Sequence, residues 1–102
     1  MKYVYLIQSL ENGYYKIGVS KDPQKRLLQL QTGNSSKLKL IEYYPSEYAN
    51  KIEKSIHNFL SHLKKEGEWF NISLLEALSF TEKCKQIEEN INILNKCNNV
   101  FI

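Results

Sequence analysis

Aromatic and aliphatic residues alternate from Lys2 to Ser9, a period of two that predicts a β-strand. Glu11-Asn12-Gly13 follows as a turn signal, because Asn-Gly readily adopts the positive φ of a tight hairpin. Tyr14 to Val19 then reads as the returning strand. Asp22-Pro23 reads as an N-cap followed by proline at the first helical position, opening a helix that runs to about Gln31. Thr32-Gly33-Asn34-Ser35-Ser36 stops that helix, and Leu38 to Tyr44 supplies a third strand. Ser46 is positioned to cap a second helix over Glu47 to Leu63. Its apolar residues Tyr48, Ala49, Ile52, Ile56, Phe59, Leu60 and Leu63 fall on one stripe. Lys64-Lys65-Glu66-Gly67 ends it, and Glu68-Trp69-Phe70-Asn71 is a short extended piece. Ser73-Leu74-Leu75-Glu76 is a capping box, so a last helix begins there. It carries Leu74, Ala77, Phe80, Cys84, Ile87, Ile91 and Leu94 at helical spacing and fades near Asn98. The order β-β-α-β-α-(β)-α predicts one α+β domain. Residues 1–72 form its main body, 73–97 a C-terminal helix packed on it, and 98–102 a tail.

The 102 residues suffice for one hydrophobic core. A 42% hydrophobic fraction with only four glycines and two prolines argues against disorder. No apolar run approaches the roughly 20 residues needed to span a bilayer. The Lys2-led apolar start lacks a small-residue cleavage site, so a strand is expected there rather than a signal peptide. Cys84 and Cys97 lie on one predicted helix about 20 Å apart, too far to bridge. They are expected as two small semi-buried thiols in a reducing compartment, which points to an intracellular protein: cytoplasmic, or nuclear if eukaryotic or viral. Residues 1–72 hold eleven Lys/Arg against seven Asp/Glu, a balance of +4, while 73–102 hold three against four, or −1. The positive excess sits in the first part, as a phosphate-binding surface requires, although a solvated basic face accounts for it equally.

Five features recur in order: Val4-Tyr5-Leu6, Lys16-Ile17-Gly18, Arg26, Glu53 with His57 four residues on, and Gly67-Glu68-Trp69-Phe70. At these residues the chain resembles the GIY-YIG nuclease superfamily, in the compact branch of phage-encoded and "meiotically up-regulated" type proteins whose second motif reads KIG. Asp22-Pro23-Gln24-Lys25-Arg26-Leu27 and Leu30-Gln31-Thr32-Gly33-Asn34 resemble that branch too. The resemblance covers roughly residues 3–72. It implies a three-stranded antiparallel sheet flanked by helices that hydrolyses DNA phosphodiesters with one divalent metal, Mg²⁺ or Mn²⁺. By the same resemblance Tyr5 matches the first motif's tyrosine, Gly18 the second motif's glycine, Arg26 the helix arginine and Glu53 the metal-binding glutamate. Lys16 stands where most members have a second tyrosine.

The chemistry of these residues agrees. Phosphodiester hydrolysis needs a metal to neutralise phosphate, a cation for the developing charge and a base near the nucleophile. Mg²⁺ tolerates a single carboxylate, completing its shell with water and substrate oxygens, and Glu53 supplies one. Glu53 and Arg26 each lie just beyond the edge of an apolar stripe of their helices, so both are expected to reach the sheet face bearing Tyr5. The planar fork of Arg26 suits two phosphate oxygens. A nearby Lys16 favours the phenolate of Tyr5, which would then activate water. Alternatively, Lys16 holds the phosphate and Tyr5 only orients the water. His57, one turn past Glu53, is a third candidate for proton transfer or a metal contact. No histidine lies between Arg26 and Glu53, where many superfamily members have one.

Plainer roles exist for each residue: a strand aromatic, a solvated lysine or arginine, a surface ion pair worth under about 1 kcal/mol. Gly18 is expected to serve the backbone, and Trp69 and Phe70 to cap the core with Gly67 and Glu68 shaping that corner. His62 falls on a polar side. The main alternative to a nuclease is a non-catalytic nucleic-acid-binding module; a third reading is a small interaction protein dimerising through the last helix. No added DNA-reading domain is recognisable, so specificity is low or comes from a partner protein.

Overall fold

In β1 (Lys2–Ser9) the run Val4-Tyr5-Leu6-Ile7 is buried throughout, so both faces of the strand are covered. The computed structural model describes residues 1–65 and 69–101, side chains of 98–101 excepted. After β1 come β2 (Tyr15–Ser20), α1 (Pro23–Thr32), β3 (Leu38–Ser46), α2 (Ala49–Phe59) and a 3₁₀ turn at Ser61–Leu63. β4 (Trp69–Phe70), α3 (Leu74–Leu78) and α4 (Phe80–Phe101) follow. The result is a small α+β domain built on an antiparallel sheet of order β3-β1-β2-β4. Four strands are present among the described residues, where the resemblance implied three. The extended piece expected at 68–71 supplies the fourth, pairing Tyr15 with Phe70 and Lys16 with Trp69. Gly67 and Glu68 lie outside the described residues.

The two faces carry two separate cores. On one, Val4, Leu6, Tyr15 and Ile17 meet Ile52 and Ile56 of α2 and Phe80 and Cys84 of α4. Fully burying one such aliphatic side chain stabilises by about 1.5–3 kcal/mol. On the other, Tyr5, Ile7 and Leu38 meet Leu27 and Leu30 of α1, with Trp69 alongside. A register shift between Leu6 and Ile7 leaves Ile41 as an extra residue in β3. Leu40 and Tyr43 consequently face the same way despite their odd spacing.

Local chemistry sets most boundaries. Asp22 caps α1 by accepting from the Lys25 amide at 3.1 Å, ahead of Pro23. Ser73 caps α3 in the same manner through the Glu76 amide. Among the described residues Gly13 alone takes positive φ, at 76°, closing a longer loop than the tight hairpin expected. Ser46 ends β3 instead of capping a helix directly; its hydroxyl accepts from the Tyr48 amide, and α2 starts at Ala49.

Other expectations are corrected by packing. Phe59 and Leu74 share helical spacing with core residues yet are largely exposed, as is Leu94. The final helix breaks at Ser79, whose hydroxyl bonds back to the Leu75 and Glu76 carbonyls, and α4 continues past Asn98 to Phe101. Residues 73–97 join the same core through Ala77, Phe80 and Cys84. The cysteines are not alike: Cys84 is fully buried and Cys97 exposed.

Gly18 in β2 is paired with Tyr5, and the tyrosine ring lies across it. A Cβ at Gly18 would overlap the Tyr5 hydroxyl oxygen and stand 2.5 Å from its Cζ. Gly33, by contrast, has nothing within 4 Å of such a Cβ.

Two outcomes follow. Gly18→Ala is expected to destabilise the fold by about 1–3 kcal/mol in urea unfolding, because Tyr5 must swing away. Gly33→Ala is expected to stay within roughly 1 kcal/mol of the parent. The thiols should also separate. Burial, reinforced by Glu88, pushes the Cys84 thiol up to about 12. Ellman titration near pH 8 should therefore find Cys97 alone in the native protein and both thiols in denaturant; rapid native labelling of both would contradict this packing.

Candidate functional site

Residue parity in β1 and β2 decides which side chains share a face. Tyr5 and Ile7 point one way, and Lys16 and Gly18 opposite them point the same way. This is the face that α1 covers. In helical projection Arg26 lies about 40° beyond Leu30, which packs on the Tyr5 cluster, and about 60° from the buried Pro23. Arg26 is accordingly half-buried on the sheet side of α1. It makes no ion pair or hydrogen bond through its side chain to any described residue.

The Tyr5 ring is buried at 2% exposure, yet its hydroxyl bonds to no described residue. No buried side-chain oxygen or nitrogen among the described residues lacks a partner, so this hydroxyl must reach the surface. Lys16 lies with its Nζ 5.8 Å from the Trp69 ring centre. Trp69, expected as a core cap, is half-buried against the Tyr5 cluster, while Phe70 is fully buried in the other core.

Glu53 and His57 come from the opposite side. Their helix, α2, packs on the Leu6/Ile17 face, so the expectation that Glu53 reaches the sheet face of Tyr5 is not met. Ile52 and Ile56 must bury together, and that places α2 across the sheet from α1. What the structure brings together instead is an edge. β4 pairs only with Tyr15 and Lys16, so among the described strands nothing flanks β2 from Ile17 onward. There His57 Nε2 lies 2.7 Å from the Ile17 carbonyl oxygen and 3.5 Å from Glu53 Oε1. The His57 ring also meets Phe70 edge-on. Both side chains are partly exposed, at 21% for His57 and 31% for Glu53.

Gly18 joins the two halves. It follows Ile17, whose carbonyl takes His57, and it lies beneath the Tyr5 hydroxyl. Covalent geometry then sets the Tyr5 oxygen within roughly 10 Å of His57 Nε2. Because a carbonyl only accepts, Nε2 carries the proton of this bond. That nitrogen has no lone pair to offer a metal or a departing proton. The Ile17 carbonyl is a contact of this candidate site that residue types cannot reveal, since the backbone carries no sequence signal.

No cluster of three or more His, Cys, Asp or Glu suited to a metal exists among the described residues. A thiophilic or imidazole-loving ion is poorly served by this donor set. A hard dication fits better, since it takes one carboxylate and fills its shell with water and phosphate oxygens. No helix of the described residues is long and apolar enough to cross a membrane.

The T5orf172 domain model matches residues 2–93, running through most of α4. No curated protein and no solved structure matches the chain. The family match overturns the assignment to the GIY-YIG superfamily. That resemblance rested on short, separated pieces, and two departed from its pattern: Lys16 in place of a tyrosine, and no histidine between Arg26 and Glu53. A nucleic-acid-related function is compatible with the match. Spanning nine-tenths of the sequence, it shows that the chain belongs to the T5orf172 domain family.

Proposed function

We propose that this domain is a DNA endonuclease that hydrolyses phosphodiester bonds with the help of one divalent cation, Mg²⁺ or Mn²⁺. The observation that carries this reading is the meeting at Gly18. A buried phenol with a solvent-reaching hydroxyl and a Glu-His pair approach the same stretch of open strand edge. Arg26 supports it, as a half-buried guanidinium on the sheet side of α1 with no anion among the described residues to pair with. Such a group accepts a phosphate without first giving up a protein partner.

In this mechanism water attacks phosphorus, one P–O ester bond breaks, and the products are a phosphomonoester end and a hydroxyl end. Tyr5 orients the attacking water through its hydroxyl, while solvent takes that water's proton and returns one to the departing oxygen. Arg26 bonds the non-bridging oxygens and stabilises the charge that grows on them, while Lys16 adds a second cation on that face. Glu53 holds the dication, which when bound neutralises phosphate charge and favours ionisation of water. His57 acts as a positioning residue, tying α2 to the Ile17 carbonyl beside Glu53. The alternative is a non-catalytic DNA-binding module, which the lack of any cluster of three or more His, Cys, Asp or Glu among the described residues favours over an enzyme with a preformed metal cage.

Supercoiled-plasmid nicking with Mg²⁺ or Mn²⁺ separates the two. Wild type should nick only with the metal present. Glu53→Ala and Arg26→Ala should each lose about 10²–10³-fold, and Tyr5→Phe about 10²-fold or more. DNA binding without nicking by wild type selects the binding module. Equal nicking by all variants would point to a contaminant and remove the enzyme reading.

A further inference from the structure

A second polar cavity opens at the far end of the Tyr5 face, with a volume of about 260 Å³. Its floor is Ser9, which shares the Tyr5 side of β1 four residues on, roughly 13 Å away at 3.3 Å per residue. One wall is Trp69, and Tyr14 lies alongside it. Asn12 and Asn34 complete the lining with Ser36, and Lys65 stands at the rim.

The cavity is held in shape by backbone-directed bonds. Asn12 Oδ1 accepts from the Tyr14 amide and Asn34 Oδ1 from the Ser36 amide, each at 2.9 Å. Gln31 braces the loop that carries Asn34 and Ser36. Its amide donates to the Asn34 and Ser36 carbonyls and accepts from the Leu38 amide at 2.8 Å. Ser36 is tied further by donating to Glu11. Each asparagine oxygen already accepts one backbone bond, while the Nδ2 groups bond to no described residue and are the freer partners for a ligand. Ser9 Oγ is a further donor, since it bonds to no described side chain or backbone group and so must meet solvent. A half-buried tryptophan face beside N–H donors and one lysine suits a flat, acceptor-bearing ring.

Resting on the reading of this domain as DNA-acting, we infer that the cavity binds one unpaired nucleobase that presents carbonyl acceptors, thymine or guanine. The base stacks on Trp69 while Asn12 and Asn34 donate to its oxygens. Bases with amino donors on that edge, adenine and cytosine, meet donor against donor. The site thereby reads a base a short distance along the strand from the phosphate at Tyr5 and Arg26, and gives the domain a composition preference without any added DNA-reading module.

Trp69 is the single tryptophan, so its emission reports stacking directly. The full chain is titrated, without divalent metal, with oligothymidylate, oligoadenylate and an abasic strand of equal length, while anisotropy follows binding. Emission should be quenched most by oligothymidylate, although adenine stacks more strongly, and not by the abasic strand. Asn12→Asp and Asn34→Asp keep the turn-closing oxygen but replace the donor with an anion. Each should cut the thymidylate-to-abasic affinity ratio about fivefold or more. Equal quenching by the abasic strand would make the cavity a phosphate contact and overturn the inference. So would binding by anisotropy with unchanged emission, or a preference for adenine. Absence of any DNA binding would overturn the nuclease reading as well, which keeps the two failures apart.

Discussion

A strand covered on both faces has no open surface of its own, and β1 is such a strand. Tyr5 therefore cannot work from the middle of the sheet unless its neighbour gives way. Gly18 gives way: with no side chain, it lets the phenol ring cross β2 and carry its hydroxyl to the surface. On the same strand, the Ile17 carbonyl points outward and is taken by His57. Two adjacent residues of β2 thus fix one phenol and one helix from opposite faces. The remaining polar groups of the candidate site are arranged around that junction. A side chain at Gly18 would displace the Tyr5 ring and so separate the halves.

The fold was legible wherever local chemistry decides it. Asp22-Pro23 and Ser73 to Glu76 cap helices in the structure as their sequences imply, because an N-cap is a contact within four residues. The Ile52/Ile56/Leu60 stripe was equally readable from its period. Failures came where distant packing decides. Phe59 has the spacing of a core residue but stays largely exposed, with Lys83 Nζ 4.0 Å from its ring centre. The break at Ser79 lies inside a good helical pattern, and the bulge at Ile41 breaks the alternation of β3; neither leaves a mark in composition. β4 is two residues long, too short for any periodicity to show.

For the candidate site, residue type was legible and handedness was not. Helical projection correctly sets Glu53 at the border of a buried stripe, and it leaves Arg26 on the sheet side of its own helix. It says nothing about which face of the sheet each helix covers. That depends on the two crossovers, one from β2 to β3 through α1 and one from β3 to β4 through α2. The structure places them on opposite faces, so a site imagined on one surface becomes a site around an edge. The same topology explains why Gln31 was passed over. Its three bonds all lie within the loop it braces, and a glutamine at the end of a helix has no pattern to distinguish it from a solvated one.

The edge location also bears on how the proposed reaction would be assembled. Glu53 is partly exposed, and His57, the metal-ligand type of side chain that lies beside it among the described residues, has Nε2 committed to a carbonyl. One carboxylate in water holds a hard dication weakly, so most of the coordination shell must come from elsewhere. On the proposed nuclease reading, the phosphate of a bound strand would supply those oxygens. Arg26, the cavity at Trp69 and the basic balance of residues 1–72 need no metal, and on that reading they would bring the phosphate to the edge first. Substrate binding and cation binding would then be coupled, since each would complete the other's site. A domain working in that way would stay idle toward free cations and become competent only where a strand lay across Gly18.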